Sequence, residues 1–324
     1  MLYLGDQLQA LKFYQEEAIC LLKVKIHGRS SIENSDCSDE LKSKKRHSGL
    51  TAQFRGLFDD GVIETLVTAK PDRLLEIHND LKLEFVNVLE NEEEDFIDQC
   101  KKLFVKSGYR DWFIKFKVNY KIAKIIDFHS CTYCNREYAM TYRPDGHKGK
   151  AMVPQFDHWY PKASFPLLAL SFYNLIPSCA TCNTIKSKID MDLDKHLHPY
   201  MNYDISGSYK FDYLLSSTDQ LRINFMNKRF DQKSIDTINA LNLPMIYDGH
   251  NNKELKDLYD LRYKYSDNYL NILLKDTFRS NLPITDEEKY RLIFGIELDE
   301  KNYHKRIMSK FKSDIIKKLL AIKV

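Results

Sequence analysis

The stretch VPQFDHWYPKASFPLLALSFYNLIPSCATCNTIKSKI, residues 153–189, together with the tetrapeptide CTYC at 131–134, decides how this chain is read. Two Cys-x-x-Cys pairs, Cys131/Cys134 and Cys179/Cys182, frame it. A two-residue spacer lets both sulfurs of a pair reach one ion, and two pairs supply a tetrahedral all-sulfur set, for which Zn²⁺ is the expected occupant. The 44 residues from 135 to 178 exceed the spacing of a simple zinc ribbon, so a small structural element must fit between the knuckles and the metal acts as a clamp. A thioredoxin-like redox pair is the competing reading of a single Cys-x-x-Cys. It calls for a βαβ context, and a second pair argues against it. With four thiolates engaged, the zinc has no open position, so chemistry needs a second centre.

That centre is sought between the knuckles: Asp157-His158 with a proline three residues on, Asn174 opening the phrase Asn-Leu-x-x-x-Cys, and Cys182-Asn183 followed by Lys186. This constellation, across roughly 131–190, resembles the HNH endonuclease motif. The resemblance implies a ββα-metal fold in which a hairpin carries Asp157, His158 and Asn174 and a short helix from about Ala180 carries Asn183. It also implies hydrolysis of phosphodiester bonds. His158 would be the general base, an imidazole being the side chain normally poised near neutral pH. Asp157 and the amide oxygen of Asn183 would be hard ligands to a catalytic ion, and Asn174 would pin the loop that orients His158. Many members carry His where this chain has Asn183. Two oxygen donors favour Mg²⁺ or Mn²⁺ over Zn²⁺ or Ni²⁺.

Around this core several residues have competing readings. Lys186 and Lys188 on the short helix are candidate phosphate contacts. Trp159, Tyr160 and Lys162 flank the base, with packing as the plainer role and substrate stacking the sharper one. His196 and His198 could add ligands, but they fall in a turn-like stretch ending at Pro199, and His129 beside the first knuckle is a weaker candidate still.

The flanks are expected to be mainly helical. Leu8, Leu11, Tyr14 and Ala18 recur at helical spacing over about 7–25. Residues 29–49 are polar and Ser-rich, a loop or insertion whose Lys42, Lys44, Lys45 and Arg46 read as a solvated cluster. Phe85, Val88 and Leu89 share one helical face and Phe96, Cys100, Leu103 and Phe104 another, separated by the acidic run Glu90, Glu92, Glu93, Glu94, Asp95, read as a solvated helix start. Arg143-Pro144-Asp145-Gly146 is a turn signal. Residues 209–214 and 221–225 look like a strand pair. In the last helix Ile307, Phe311, Ile315 and Leu319 mark a core face, with Lys305, Arg306, Lys310, Lys312, Lys317 and Lys318 on solvated ones. The fold class is therefore α+β: a small ββα-metal module with a four-cysteine zinc site (121–200) between mainly helical regions (1–120 and 201–324).

Composition sets outer bounds. In 324 residues, 43% hydrophobic and 29% charged content is that of a folded protein, and a net charge of +3 permits nucleic-acid binding without arguing for it. The opening MLYLGDQLQALKFYQEE has neither a basic start nor an apolar core of the signal-peptide kind, and no apolar run approaches ~18 residues, so a cytosolic, membrane-free protein is expected. Seven cysteines, an odd number, do not form a secreted disulfide framework, and Cys20, Cys37 and Cys100 read as lone thiols.

Long HNH proteins with helical flanks and widely spaced Cys-x-x-Cys pairs look similar to the nucleases of bacterial defence systems such as Septu and retron-associated effectors. That likeness implies an ATPase partner and flanks that bind partner and substrate. DNA is the first substrate implied and RNA the second, while a catalytically silent, zinc-stabilised binding module remains the non-enzymatic alternative.

Overall fold

The computed structural model describes residues 1–88, 92–142, 151–187, 189–201, 208–216, 220–226, 231–278 and 283–320. The turn at 143–146, Leu89, Glu90 and Lys188 lie outside the described residues. The architecture is α+β and mostly helical. Among the described residues it holds two separate two-stranded antiparallel sheets, β1 (Gln155–His158) with β2 (Leu175–Ser178), and β3 (Lys210–Leu215) with β4 (Leu221–Met226). No helix among the described residues is long and apolar enough to cross a membrane.

The N-terminal region wraps the first sheet. Helix Leu8–His27 buries Tyr14, Ala18, Leu21 and Leu22, while Leu8, assigned by spacing to the packed face, is 68% exposed in its first turn. Tyr14 reaches furthest: its hydroxyl donates to the Leu170 carbonyl (2.8 Å), and its ring meets Trp112, Phe113 and Phe172. Shorter helices follow, two of them with a side-chain N-cap: Thr51 accepts from the Phe54 amide and Asp59 from that of Val62. Helix Glu93–Cys100 then continues as a wider, π-wound segment, Lys101–Ile114, that buries Leu103, Phe104, Trp112 and Phe113. Gly108 permits its close approach. A Cβ built there would stand 2.4 Å from Leu170 Cδ1, so any larger residue would have to displace the buried Leu170 side chain where the segment settles on the turn Pro166–Leu170.

In the C-terminal region helix Ser309–Leu319 packs on β3 through Phe211 and Phe311 (5.4 Å between ring centres). One expectation fails here. Lys310 is buried rather than solvated, its ammonium held by Asp314 (3.2 Å) and the Tyr209 carbonyl (3.0 Å). Most of the buried apolar residues form one cluster from Met1 to Leu319, so all three sequence segments contribute to a common core.

The reading of Cys20 and Cys37 as lone thiols is also corrected. They form a disulfide across 17 positions, because buried Ile32 and Leu41 fold the 29–49 segment back along the first helix. Cys100 remains a free, buried thiol.

Candidate functional site

Four sulfurs organise the region. Cys131, Cys134, Cys179 and Cys182 are buried, and their Sγ atoms all lie within 4.8 Å of one another, with Cys134 and Cys179 at 4.0 Å. A tetrahedral Zn²⁺ with Zn–S bonds of about 2.3 Å needs sulfurs about 3.8 Å apart, so the set fits such an ion. Backbone amides support the sulfurs: Arg136 N donates to Cys134 Sγ (3.3 Å) and Cys182 N to Cys179 Sγ (3.4 Å). The second contact also caps helix Ala180–Lys186, so one sulfur serves both the cluster and the helix start. Donation from the neighbouring thiols, Cys131 first, holds the Cys134 thiol well below the usual range. Among the described residues this is the one cluster of three or more His, Cys, Asp or Glu side chains placed to hold a metal.

The knuckle is tied to the rest of the chain by Asn135, whose backbone is left-handed (φ 54°) just past Cys134. Its side chain donates to Ser130 Oγ (2.8 Å) and the Tyr303 carbonyl (2.9 Å), and its own carbonyl and Oδ1 accept from the Met308 and Lys310 amides. The C-terminal helix is thereby pinned to the cluster.

Strand alternation distributes the chemistry of β1. Phe156 and His158 face the Lys101–Ile114 segment, Phe156 against Phe113 (5.3 Å) and His158 against Tyr109 (4.5 Å, edge-on), while Asp157 faces the other way toward Tyr133 and Lys186. β2 holds the register, with Asp157 opposite Ile176 and His158 opposite Leu175. Asn174, completely buried in the turn before β2, clasps the intervening loop: its Oδ1 accepts from Tyr160 N (2.7 Å), and its Nδ2 donates to the carbonyls of Tyr160 (3.1 Å) and Leu168 (2.9 Å). The next carbonyl, that of Ala169, meets His158 Nε2 at 3.1 Å. This contact sets the Nε2–H tautomer and leaves the lone pair of Nδ1, which has no partner among the described residues. Burial pushes the imidazole pKa down to about 3, so the ring is a free base at neutral pH.

Asp157 is buried, with Oδ2 accepting from Tyr133 Oη (2.6 Å) and lying 3.3 Å from Lys186 Nζ. Burial raises its carboxyl pKa, against the opposing pull of Lys186 and the Tyr133 hydrogen bond. Asn183 donates through Nδ2 to Gln155 Oε1 (2.6 Å), which turns its amide oxygen away from that contact. Asp157, His158 and Asn183 together line a cavity of about 360 Å³, joined by Lys101, Lys106 and Lys162. Asn174 does not line this cavity; it holds the loop behind it.

Several expected contacts are replaced by structural ones. Lys186 does not offer itself to phosphate: it is fully buried, and Nζ donates to the carbonyls of His158 (2.6 Å) and Trp159 (2.7 Å) besides facing Asp157. Trp159 and Tyr160 are core residues, packed on each other, with His198 against the indole. His198 accepts from the Tyr200 amide and His196 from the Asp192 amide, so neither joins the cavity. His129 pairs with Asp127 (3.0 Å) at the surface. The residues missed by sequence reading are Tyr133, Tyr109, Lys101 and Lys106. Tyr133 had a visible signal, a hydroxyl carried inside the knuckle itself; the other three lie on a distant helix and had none.

No protein-family model, no curated protein and no solved structure matches this chain.

Proposed function

We propose that this chain is a metal-dependent phosphodiester hydrolase, an HNH-type nuclease built on the antiparallel pair β1/β2 and helix Ala180–Lys186. One observation carries the reading. His158 is fixed through Nε2 to the Ala169 carbonyl with its buried Nδ1 unpaired, and it lines one cavity with Asp157 and Asn183. Catalytic imidazoles are oriented in this way, one nitrogen held by the protein and the other left for the proton.

His158 accepts the proton of an attacking water, its tautomer set by Ala169 and its position by the Asn174 clasp. Asp157 and Asn183 would supply two hard oxygens, a donor set that suits Mg²⁺ or Mn²⁺. Such a cation, when bound, stabilises the charge that develops on the phosphorus oxygens and leaving group. Lys186 and Tyr133 keep the Asp157 carboxylate oriented through Oδ2. The four-cysteine cluster would hold a structural Zn²⁺ with no role in the reaction, because all four sulfurs would be used.

The resemblance in the motif puts DNA first and RNA second as substrate, and the separate likeness in the helical flanks and the widely spaced Cys-x-x-Cys pairs extends the proposal to an anti-phage effector acting with an ATPase partner. The test is incubation of purified protein with plasmid DNA and with total RNA, with Mg²⁺, with Mn²⁺ or with no divalent metal added, beside His158→Ala. Metal-dependent cleavage falling by about 10²–10⁴ in the variant is expected. Cleavage that survives the substitution, or binding with no turnover in any metal, would move the reading to a zinc-stabilised binding module.

A further inference from the structure

The cavity that collects Asp157, His158 and Asn183 is bordered by three lysines from two elements far apart in sequence. Lys101 and Lys106 come from the π-wound segment and Lys162 from the loop after β1. All three side chains are exposed. None has an ion pair among the described residues. Their neighbours differ: Lys102 pairs with Asp98, Arg110 and Lys115 with Asp111, and Lys82 with Glu93. Basic side chains along this helical arm are thus neutralised except where they face the cavity. Between the three lysines the wall is apolar, built by Val105, Pro161 and Ala163. Low-dielectric walls around charge of one sign focus the field on an incoming anion. Lys162 also stands 5.4 Å above the Tyr109 ring, which packs on His158, so its charge is held near the base. Lys101 borders a second, acidic hollow with Glu93, Glu94 and Asp98, which marks the limit of the basic surface.

We propose that Lys101, Lys106 and Lys162 form a clasp for the backbone phosphates of a polynucleotide strand, seating it across the cavity. It rests on the reading of this site as one that takes phosphodiesters, and it deepens that reading by assigning strand binding to the helical arm rather than to the short helix. Lys106 and Lys101 hold phosphates along the strand, and Lys162 holds the one nearest His158. The clasp reads charge alone, so it is indifferent to base sequence.

The test is fluorescence anisotropy of a labelled 30-nucleotide DNA, its duplex and the matching RNA across a series of salt concentrations, in buffer without Mg²⁺ or Mn²⁺ so that nothing is cut while the four-cysteine cluster keeps its metal. Three lost phosphate contacts flatten the slope of log affinity against log salt by about 2 to 3. The triple variant Lys101→Gln/Lys106→Gln/Lys162→Gln is expected to show that loss, each single variant about a third of it, and Lys102→Gln none. Thermal melting checks that the variants fold. If the triple variant binds with the wild-type slope while His158→Ala still abolishes cleavage, the clasp is wrong and the nuclease stands. If the wild type binds none of the three probes, both are wrong.

Discussion

Lys186 is the residue whose surroundings most change its meaning. A lysine near the end of a short helix beside a proposed nuclease site suggests phosphate, yet here its three protons meet two backbone carbonyls and Asp157 inside the protein. Holding the carbonyls of His158 and Trp159 fixes the end of β1, and facing Asp157 compensates a buried carboxylate. Burial lowers the Lys186 pKa and raises that of Asp157, so each needs the other to remain charged. Removing one partner of a buried pair leaves the other uncompensated, at about 3–5 kcal/mol. Lys186→Met is therefore expected to lower the free energy of urea unfolding by that amount, whereas a variant within ~1 kcal/mol of wild type would show the pair to be dispensable.

At the scale of elements, two junctions hold the site together. The first is the contact of the Lys101–Ile114 segment with the Pro166–Leu170 turn, which presents the Ala169 carbonyl to His158. Gly108 sits at that contact, and Gly108→Ala would drive a methyl group into Leu170. Overpacking of this kind costs about 1–3 kcal/mol. The expected result is a lower melting temperature and weaker cleavage, with the penalty largely removed in a Leu170→Ala background; an equal penalty in both backgrounds would place the strain elsewhere. The second junction is the four-cysteine cluster, which joins the 131–134 turn to helix Ala180–Lys186 and, through Asn135, to the C-terminal helix. Structural zinc contributes about 10–16 kcal/mol in small sites, comparable to the whole net stability of a domain. One zinc per chain is expected by elemental analysis. Cys131→Ser or a strong chelator should abolish the cooperative unfolding transition, and a metal-free protein that melts as before would remove the clamp.

The molecule as a whole carries a pH signature from its buried imidazoles. Burial depresses His158 to about 3 and His78 to about 4, and lowers His198 well below its ordinary value of 6.5. As pH falls below about 6.5 the unfolded chain takes up these protons before the folded one does. Stability is therefore complete above that pH and is lost as the pH falls toward the folded values, by up to about 1.4 kcal/mol per pH unit for each ring. Asp157 acts in the opposite sense, since its raised pKa lets the folded chain take a proton first. The urea midpoint measured at pH 7, 6 and 5 should fall steeply between the last two. A flat profile would mean the rings are hydrated.

Much of the site was legible in the chain because its parts are local. Two-residue cysteine spacers define ligand pairs, Asp157-His158 are adjacent on one strand, and the strand pair 210–226 and the helical flanks follow from side-chain periodicity. Tertiary structure alone decided the rest. The disulfide of Cys20 and Cys37, the burial of Lys186 and Lys310, the hydrogen bond from Tyr133 to Asp157, and the arrival of Lys101 and Lys106 at the cavity all join segments whose spacing carries no pattern. Periodicity tells which face of a helix is apolar. What an exposed lysine or a lone cysteine meets depends on where packing of the common core sets the helices, and that is decided by shape and volume over the whole molecule.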